Sequence, residues 1–564
     1  MDFDYIIVGG GSAGSVQASR LSARSANNVL LLEAGMDTPP GRVPEDILDS
    51  YPGVAYFKPD YIWGALKVHL QPVPHNAPER PPLRQYEQAR VMGGGSSINY
   101  QAANRGTPDD YNEWQSMGAA GWGWDDVLGY FRKLETDQQF DGPLHGKSGP
   151  VPIRRVAREN WSGFSRAVAD TFARAEMKFI DDQNAVFDDG YFPVTINNLH
   201  DRRVSAATAY LDAKTRARPN LTILSNALAK RIRFDGQRAI GVEIDRQGRD
   251  EYHGGREIIS SAGAGHSPAL LMRSGVGPAG HLRDMAIDVV ADVAGVGQNL
   301  QDHPGITTLS YLPRGARHAP DPGSALQVGA RYSSGVAECG ANDMYISCIG
   351  RAVWHAVGRR LASMTTWINK PYSRGQLRLR SPDWRDEPEI EVNMLADPRD
   401  LARLKLGMLR VAALFEEGPL KDATRDPFST NFNRRAQSVS AITPRNKLLT
   451  GLIAALLDGP GPLRRSVIDR LLLGQDLAAT LAGGDAAIEE HVMRHVVSIR
   501  HLSCTCRMGS DGDPAAVTDP QGRVRGTVGL RVCDASIFPA VPRANTNIPT
   551  LMTAEKIADA ILSA

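Results

Sequence analysis

No run of 18 or more consecutive apolar residues occurs in the chain, which excludes a membrane-spanning helix. Cysteine is scarce: Cys339, Cys348, Cys504, Cys506 and Cys533 are the whole complement, with no CxxC pair and no His/Cys spacing suited to zinc. A disulfide framework is thereby excluded, no metal site is expected, and the thiols are expected to be reduced. An excess of one charge is missing too. Lys and Arg number 64 against 63 Asp and Glu, a net charge of +1, so nothing electrostatic favours nucleic acid or an anionic membrane, and a small molecule is the expected partner. Met1-Asp2-Phe3-Asp4 leads straight into an apolar strand, without the basic and apolar segments of a secretory leader, from which a cytoplasmic location is expected. What remains is an ordinary globular composition, 42% hydrophobic and 23% charged, on a 564-residue chain too long for one hydrophobic core.

The first forty residues carry the strongest signal. Tyr5-Ile6-Ile7-Val8 opens into Gly9-Gly10-Gly11-Ser12-Ala13-Gly14, a helix-like stretch follows, and Val29-Leu30-Leu31-Leu32-Glu33-Ala34 reads as a second strand. In such a βαβ unit Gly9 permits the tight turn, Gly11 lets the backbone approach a pyrophosphate, and Gly14 lets helix and strand pack closely. The free N–H groups and the dipole of the helix start attract phosphate. Glu33 is placed to accept a ribose hydroxyl, and an acid there disfavours a 2′-phosphate.

Two distant runs, Ile258 to Ala262 and Leu530 to Cys533, are expected to join the same parallel sheet. Between them, over roughly residues 155 to 205 and 310 to 490, the texture changes to scattered Trp, Pro and Arg with alternating runs such as Gly375-Gln376-Leu377-Arg378-Leu379-Arg380. The expected fold is α/β, α+β overall. A Rossmann-like domain formed by 1–155, 206–309 and 490–564 interleaves with an antiparallel-sheet-plus-helices domain formed by 156–205 and 310–489. Leu448, Leu449, Leu452, Ile453, Leu456 and Leu457 predict a helix stopped by Asp458-Gly459-Pro460, and a second runs from Leu463 to Leu473. Arg464, Arg465 and Arg470 beside these leucines suit either a membrane-surface helix or, by base rate the better reading, a helix packed on its own domain.

Further glycine-rich segments bear on chemistry. Ala89-Arg90-Val91-Met92-Gly93-Gly94-Gly95-Ser96-Ser97-Ile98-Asn99 suits close approach of a flat cofactor, and by itself equally an ordinary surface loop. Gly263 to Gly277 reads as a turn, a helix with Ser267 as N-cap and Pro268 in its first turn, and a stop at Gly275, with His266 in a structural place. Near the end stand His501-Leu502-Ser503-Cys504-Thr505-Cys506, Asp534-Ala535-Ser536 and Asn545-Thr546-Asn547-Ile548-Pro549-Thr550.

Together and in this order, these motifs resemble those of the glucose/methanol/choline family of flavoprotein oxidoreductases, from Asp4 to the last helix. Gly295 to His303 is a further family-like block. Met92, where another aliphatic residue is usual, and Cys504, where glycine is usual, depart from the pattern, and Cys504 is expected to crowd the turn after His501. The resemblance implies FAD, with Gly9, Gly11, Ser12, Ala13, Gly14, Glu33 and Ala34 at its diphosphate end and Arg90, Val91, Gly95 and Asn99 near the flavin. It also implies Ala229 at the adenine through its backbone, and Asp534, Ala535, Asn547 and Thr550 along the flavin side. Some members attach the flavin through a His at the position of Ile98; isoleucine has no nucleophilic atom, so non-covalent FAD is expected.

By the same resemblance His501 is the general base that takes the proton of an alcohol, and Asn545 orients the alcohol oxygen. Tyr86 to Arg90, Phe187 to Pro193, Asn369-Lys370-Pro371 and Leu395 to Leu401 are similar to the corresponding blocks of bacterial oxidases of 5-hydroxymethylfurfural and aryl alcohols. The implied partners are an alcohol or aldehyde substrate and O2 or another electron acceptor. A dehydrogenase with a different acceptor and a flavin-containing lyase of the same fold are the alternatives. Arg500 and Ile368 are expected to border the substrate, Arg500 either as a bidentate carboxylate anchor or as a surface Arg or one paired with an Asp of its own chain. Trp114, Trp122, Trp124, Trp354 and Trp367 are candidates for an aryl pocket or for the core.

Overall fold

A computed structural model describes residues 2–72, 81–318, 324–429, 439 and 442–563. Two large sheets organise them. The first is seven-stranded. Its centre is the strand Phe3–Val8, paired in parallel with Val29–Leu32 on one side and Arg249–Ser260 on the other. Leu221–Leu224 and Leu530–Val532 extend it in parallel at either flank, so the two distant runs read from the sequence do join it. The central strands are unbroken apolar runs because both of their faces are covered. Ile6, Ile7, Leu30 and Leu31 are wholly buried, each contributing about 1.5–3 kcal/mol.

The helix Ser12–Leu21 crosses from the first strand to the second. The C-terminal helix Asn547–Ser563 packs against it, fixed by a bidentate pair between Arg20 and Glu555. That packing brings residues from opposite ends of the chain to one site.

The second sheet is antiparallel and eight-stranded. Pro304–Tyr311, Leu361–Ile368, Met344–Ile349 and Leu326–Tyr332 form its middle, with Gly190–Pro193 beyond. Helix Pro398–Glu416 closes its back, where Gly407 lies so near Thr366 that a Cβ would come within 2.9 Å of Oγ1. The expected crossing point at residue 309 falls inside the strand Pro304–Tyr311, which belongs wholly to this sheet.

Two expectations need correction. The alternating run after Gly375 forms a strand only over Gln376–Arg378, in a two-stranded ribbon with Glu389–Glu391 apart from both sheets. The leucine helix forms as Pro444–Leu457, but most of its stripe is not packed. Leu448 and Leu452 are 69% and 60% exposed, and the residues that anchor the helix are Ala454 and Leu457, in a small core with Tyr311, Val467 and Ile468. Among the described residues no helix is long and apolar enough to cross a membrane.

Candidate active site

A cavity of ≈ 560 Å³ opens at the C-terminal edge of the parallel strands and runs to the face of the antiparallel sheet. One end is walled by bare backbone: Gly9, Gly11, Ser12 and Ala13 from the first turn, Gly94 and Gly95 from the second glycine segment, and Ser261 to Ala264 after the third strand. Gly9 has φ +103, and a Cβ on Gly14 would stand 1.8 Å from the Gly9 carbonyl oxygen, so both glycines are required by the turn itself. A Cβ on Gly94 would meet Cα of Gly11 at 2.7 Å, and none of the described residues fills the space beside Gly95.

Glu33 lines this end, buried at 6% exposure. Its Oε2 accepts the Gly10 N–H at 2.8 Å and its Oε1 that of Gly35 at 2.7 Å, so the carboxylate first secures its own turn. Each oxygen retains lone-pair capacity for a further donor. Ala34, Ala229, Ile98 and Asn99 also line the cavity, and Asn99 Oδ1 is held by Arg203 at 2.9 Å.

The C-terminal segments close the opposite side. Asp534 accepts the Gly263 N–H at 2.9 Å and the Ser267 hydroxyl at 2.6 Å, tying the C-terminal segment to the turn after the third strand. Ser267 is therefore the first residue of helix Ser267–Arg273 and not its N-cap, a position held by His266. Ala535, Asn547 and Thr550 line the wall beside it. Asn547 Oδ1 accepts the Ser12 hydroxyl at 2.8 Å, which leaves Nδ2 buried without a partner. A side-chain-free cradle at a helix start together with an unpartnered amide donor suits a flavin dinucleotide.

Three expected cofactor residues and one substrate residue stand off the cavity wall. Gly14 acts through packing alone. Val91 is buried in a small core with Ile47 and Tyr61. Arg90 lays its guanidinium 4.8 Å over the Trp63 ring and donates Nε to the Ala34 carbonyl at 3.3 Å. Ile368 is wholly buried on the helix side of the sheet. Strand alternation explains this: Ser363, Thr365 and Trp367 of its strand face the cavity, opposite Leu309, Thr307 and Gly305, and the even-numbered residues face away.

Among the expected tryptophans Trp367 lines the cavity, stacked on Tyr345 with centroids 4.3 Å apart and planes at 19°, while Trp114 and Trp122 are fully buried in the core.

His501 and Asn545, 44 positions apart, meet at the junction of the two ends. Asn545 Nδ2 donates to His501 Nε2 at 3.2 Å. Because an amide nitrogen can only donate, Nε2 is the unprotonated atom and the ring proton sits on Nδ1. That proton is given to His303 Nδ1, 2.8 Å away, with the two rings nearly perpendicular at 87°. His303 therefore carries its own proton on Nε2, facing the carbonyls of Asn369 and Pro542, although no bond of ordinary geometry closes there. Burial, and next the neighbouring His303, hold the His501 imidazole well below its usual pKa, so it is neutral; burial pushes His303 down to about 3.

Asp302 steadies the backbone at this point. It accepts the His501 N–H at 2.9 Å and the Tyr86 hydroxyl at 2.7 Å, and it also takes the Ser498 hydroxyl. Arg500 and Cys504 both have positive φ, 68° and 72°, so His501 sits between two left-handed residues. The glycine usual at position 504 follows from this φ; Cys504 carries the strain with its side chain wholly buried. Neither Asp302 nor His303 was assigned a role from sequence, although the Gly295 to His303 block contained both.

Of the readings of Arg500, the structure shows a pairing within the chain, with Glu87 and not an Asp as the acid. Nε and Nη2 donate to Glu87 Oε2 at 2.8 and 2.5 Å, and Nη1 donates to the Ser498 carbonyl at 2.7 Å. The pair lines the cavity, but the fork is already taken up.

Glu135, Asp137 and His145 form a buried cluster with the spacing of metal ligands. Their atoms are engaged by ion pairs: Arg105 meets Glu135, Arg155 bridges Asp137 and Asp182, and His145 Nε2 meets Asp182 at 2.8 Å. The cationic groups balance the three carboxylates.

Sequence and structure comparisons show the family. Two family models described as GMC oxidoreductase match residues 3–305 and residues 371–456 with 463–554. The chain is 41% identical to a 5-(hydroxymethyl)furfural oxidase of Methylovorus sp. (strain MP688), over 100% of this chain and 99% of that protein. It is 32% identical to an oxygen-dependent choline dehydrogenase of Sinorhizobium fredii, over 100% and 96%. A solved structure of pyridoxine 4-oxidase from Mesorbium loti superposes with a TM-score of 0.81 at 26% identity, covering 100% and 99% of the two chains. The protein belongs to the GMC oxidoreductases and is an FAD-dependent oxidoreductase.

Proposed function

We propose that this enzyme oxidises primary aryl or furanic alcohols, with His501 as general base and O2 as the electron acceptor. The observation that carries the reading is the Asn545 amide Nδ2 within 3.2 Å of His501 Nε2 on the wall of the cavity. FAD, when bound, supplies the hydride acceptor at N5 and the route by which electrons reach O2 to give hydrogen peroxide.

His501 Nε2 takes the hydroxyl proton as charge develops on the alcohol oxygen. Asn545 Nδ2 then donates to that oxygen and cannot itself accept the proton. His303 accepts the Nδ1 proton of His501 throughout and so keeps Nε2 free as the base. The Tyr345–Trp367 stack and the Thr307, Thr365 and Ser363 hydroxyls face the cavity, a surface suited to a flat ring bearing polar substituents. The identity to a 5-(hydroxymethyl)furfural oxidase supports the substrate class. Ile98, which lines the cavity, offers no nucleophilic atom, and this supports non-covalent FAD.

The test is anaerobic reduction of the yellow protein by furanic, benzylic and aliphatic alcohols, followed by admission of air. Bleaching by furanic or benzylic alcohols with fast reoxidation and peroxide release is expected. Slow reoxidation would mean a dehydrogenase with another acceptor, and no bleaching with any alcohol would overturn the reading in favour of a lyase.

A further inference from the structure

The cavity wall beside His501 holds a charge pair with one unused acceptor. Glu87, its side chain 4% exposed, receives both Arg500 nitrogens on Oε2, together with the Tyr56 hydroxyl at 3.3 Å. Its other oxygen, Oε1, accepts no hydrogen bond from any described residue, and Glu87 lines the cavity. A carboxylate oxygen at a cavity wall calls for a donor, and a substrate hydroxyl can supply one.

Charge decides which substrates fit. Arg500 alone would attract an anionic substituent, but Glu87 neutralises it across the short Nη2–Oε2 contact, and a carboxylate entering beside Oε1 meets a like charge in a buried setting. An uncharged hydroxyl meets a carboxylate oxygen, and hydrogen bonds to carboxylates are among the stronger ones.

We propose that Glu87 is a specificity residue. Its Oε1 receives a hydroxyl at the end of the substrate remote from the reacting carbon, so the enzyme favours diols, and its charge cancels Arg500, so carboxylate-bearing alcohols are rejected. The inference rests on the alcohol-oxidising reading above. It reverses the role expected for Arg500, whose capacity to bind a carboxylate appears only when Glu87 is neutralised.

The experiment compares kcat/KM of the FAD-loaded enzyme and its Glu87→Ala and Glu87→Gln variants on para-xylylene glycol, para-methylbenzyl alcohol and para-(hydroxymethyl)benzoate. Flavin absorbance per protein verifies that each variant is loaded. In the unaltered enzyme the diol is expected to exceed the methyl compound by about tenfold or more, and the benzoate to be the poorest. In Glu87→Ala the diol preference should collapse to within about twofold, while the benzoate gains about tenfold relative to the methyl compound. Glu87→Gln, which keeps the size and a carbonyl acceptor but loses the charge, should show the benzoate gain with much of the diol preference retained. Both ratios unchanged in FAD-loaded variants that still oxidise para-methylbenzyl alcohol would overturn the inference and leave the alcohol-oxidase reading standing. Failure of the unaltered enzyme to oxidise any of the three would overturn both.

Discussion

Nδ1 of His303 lies 2.8 Å from Nδ1 of His501, and this ring-to-ring hydrogen bond fixes which nitrogen of His501 is free. Each nitrogen cannot both donate and accept, so the donor from Asn545 on Nε2 and the acceptor from His303 on Nδ1 select one tautomer. His303→Ala should lower the rate of anaerobic flavin reduction by about tenfold or more, since part of the advantage of a positioned base depends on its tautomer. His303→Asn, whose side-chain carbonyl can take the Nδ1 proton, should recover part of that loss, and the recovery should appear in kcat more than in KM. Steady-state turnover over a range of alcohol concentrations measures both, and stopped-flow reduction at saturation gives the limiting rate of flavin reduction. Equal losses in the two variants would mean that His303 only fills space.

The parallel sheet and the glycine cradle were legible in the sequence because their requirements are local. Gly9 must take a positive φ, Gly14 must let a carbonyl pass at contact distance, and Ile6 to Val8 must be apolar on both faces. The pairing of His501 with Asn545 was legible through the family resemblance of two segments 44 residues apart. The partners of those residues were not. Glu87 and Arg500 are 413 positions apart and His303 and His501 are 198, and no local pattern announces which acid or which ring will face a given side chain across a fold. Ile368 was misplaced for a simpler reason, since a one-residue step along a strand exchanges cavity face for core face. The exposed leucines of Pro444–Leu457 show the reverse: helical spacing announces a stripe and not what covers it.

Because isoleucine occupies position 98, acid precipitation should release the flavin into the supernatant in full. The absorbance of supernatant and pellet decides the point. Yellow colour retained in a washed pellet would contradict a dissociable cofactor.

The buried His145 gives the fold a pH-dependent component. Burial lowers the pKa of its imidazole, but hydrogen bonds to Asp137, Asp182 and Glu135 outweigh this and raise it to about 10. A pKa raised on folding means that the contribution is present in full below the unfolded value of about 6.5 and is lost as pH rises through the folded one. The melting temperature of His145→Gln should therefore fall furthest below that of the unaltered protein near neutral and mildly acidic pH, and the gap should narrow as pH approaches 10. A gap that stays constant across this window would show that His145 is not protonated in the folded state.

The most direct measurement is the anaerobic rate of flavin reduction by a benzylic or furanic alcohol in His501→Gln, with FAD content verified from the visible spectrum. A loss of about 10²–10⁴-fold with FAD still bound is expected if His501 removes the hydroxyl proton. A loss smaller than about tenfold would contradict its role as the base.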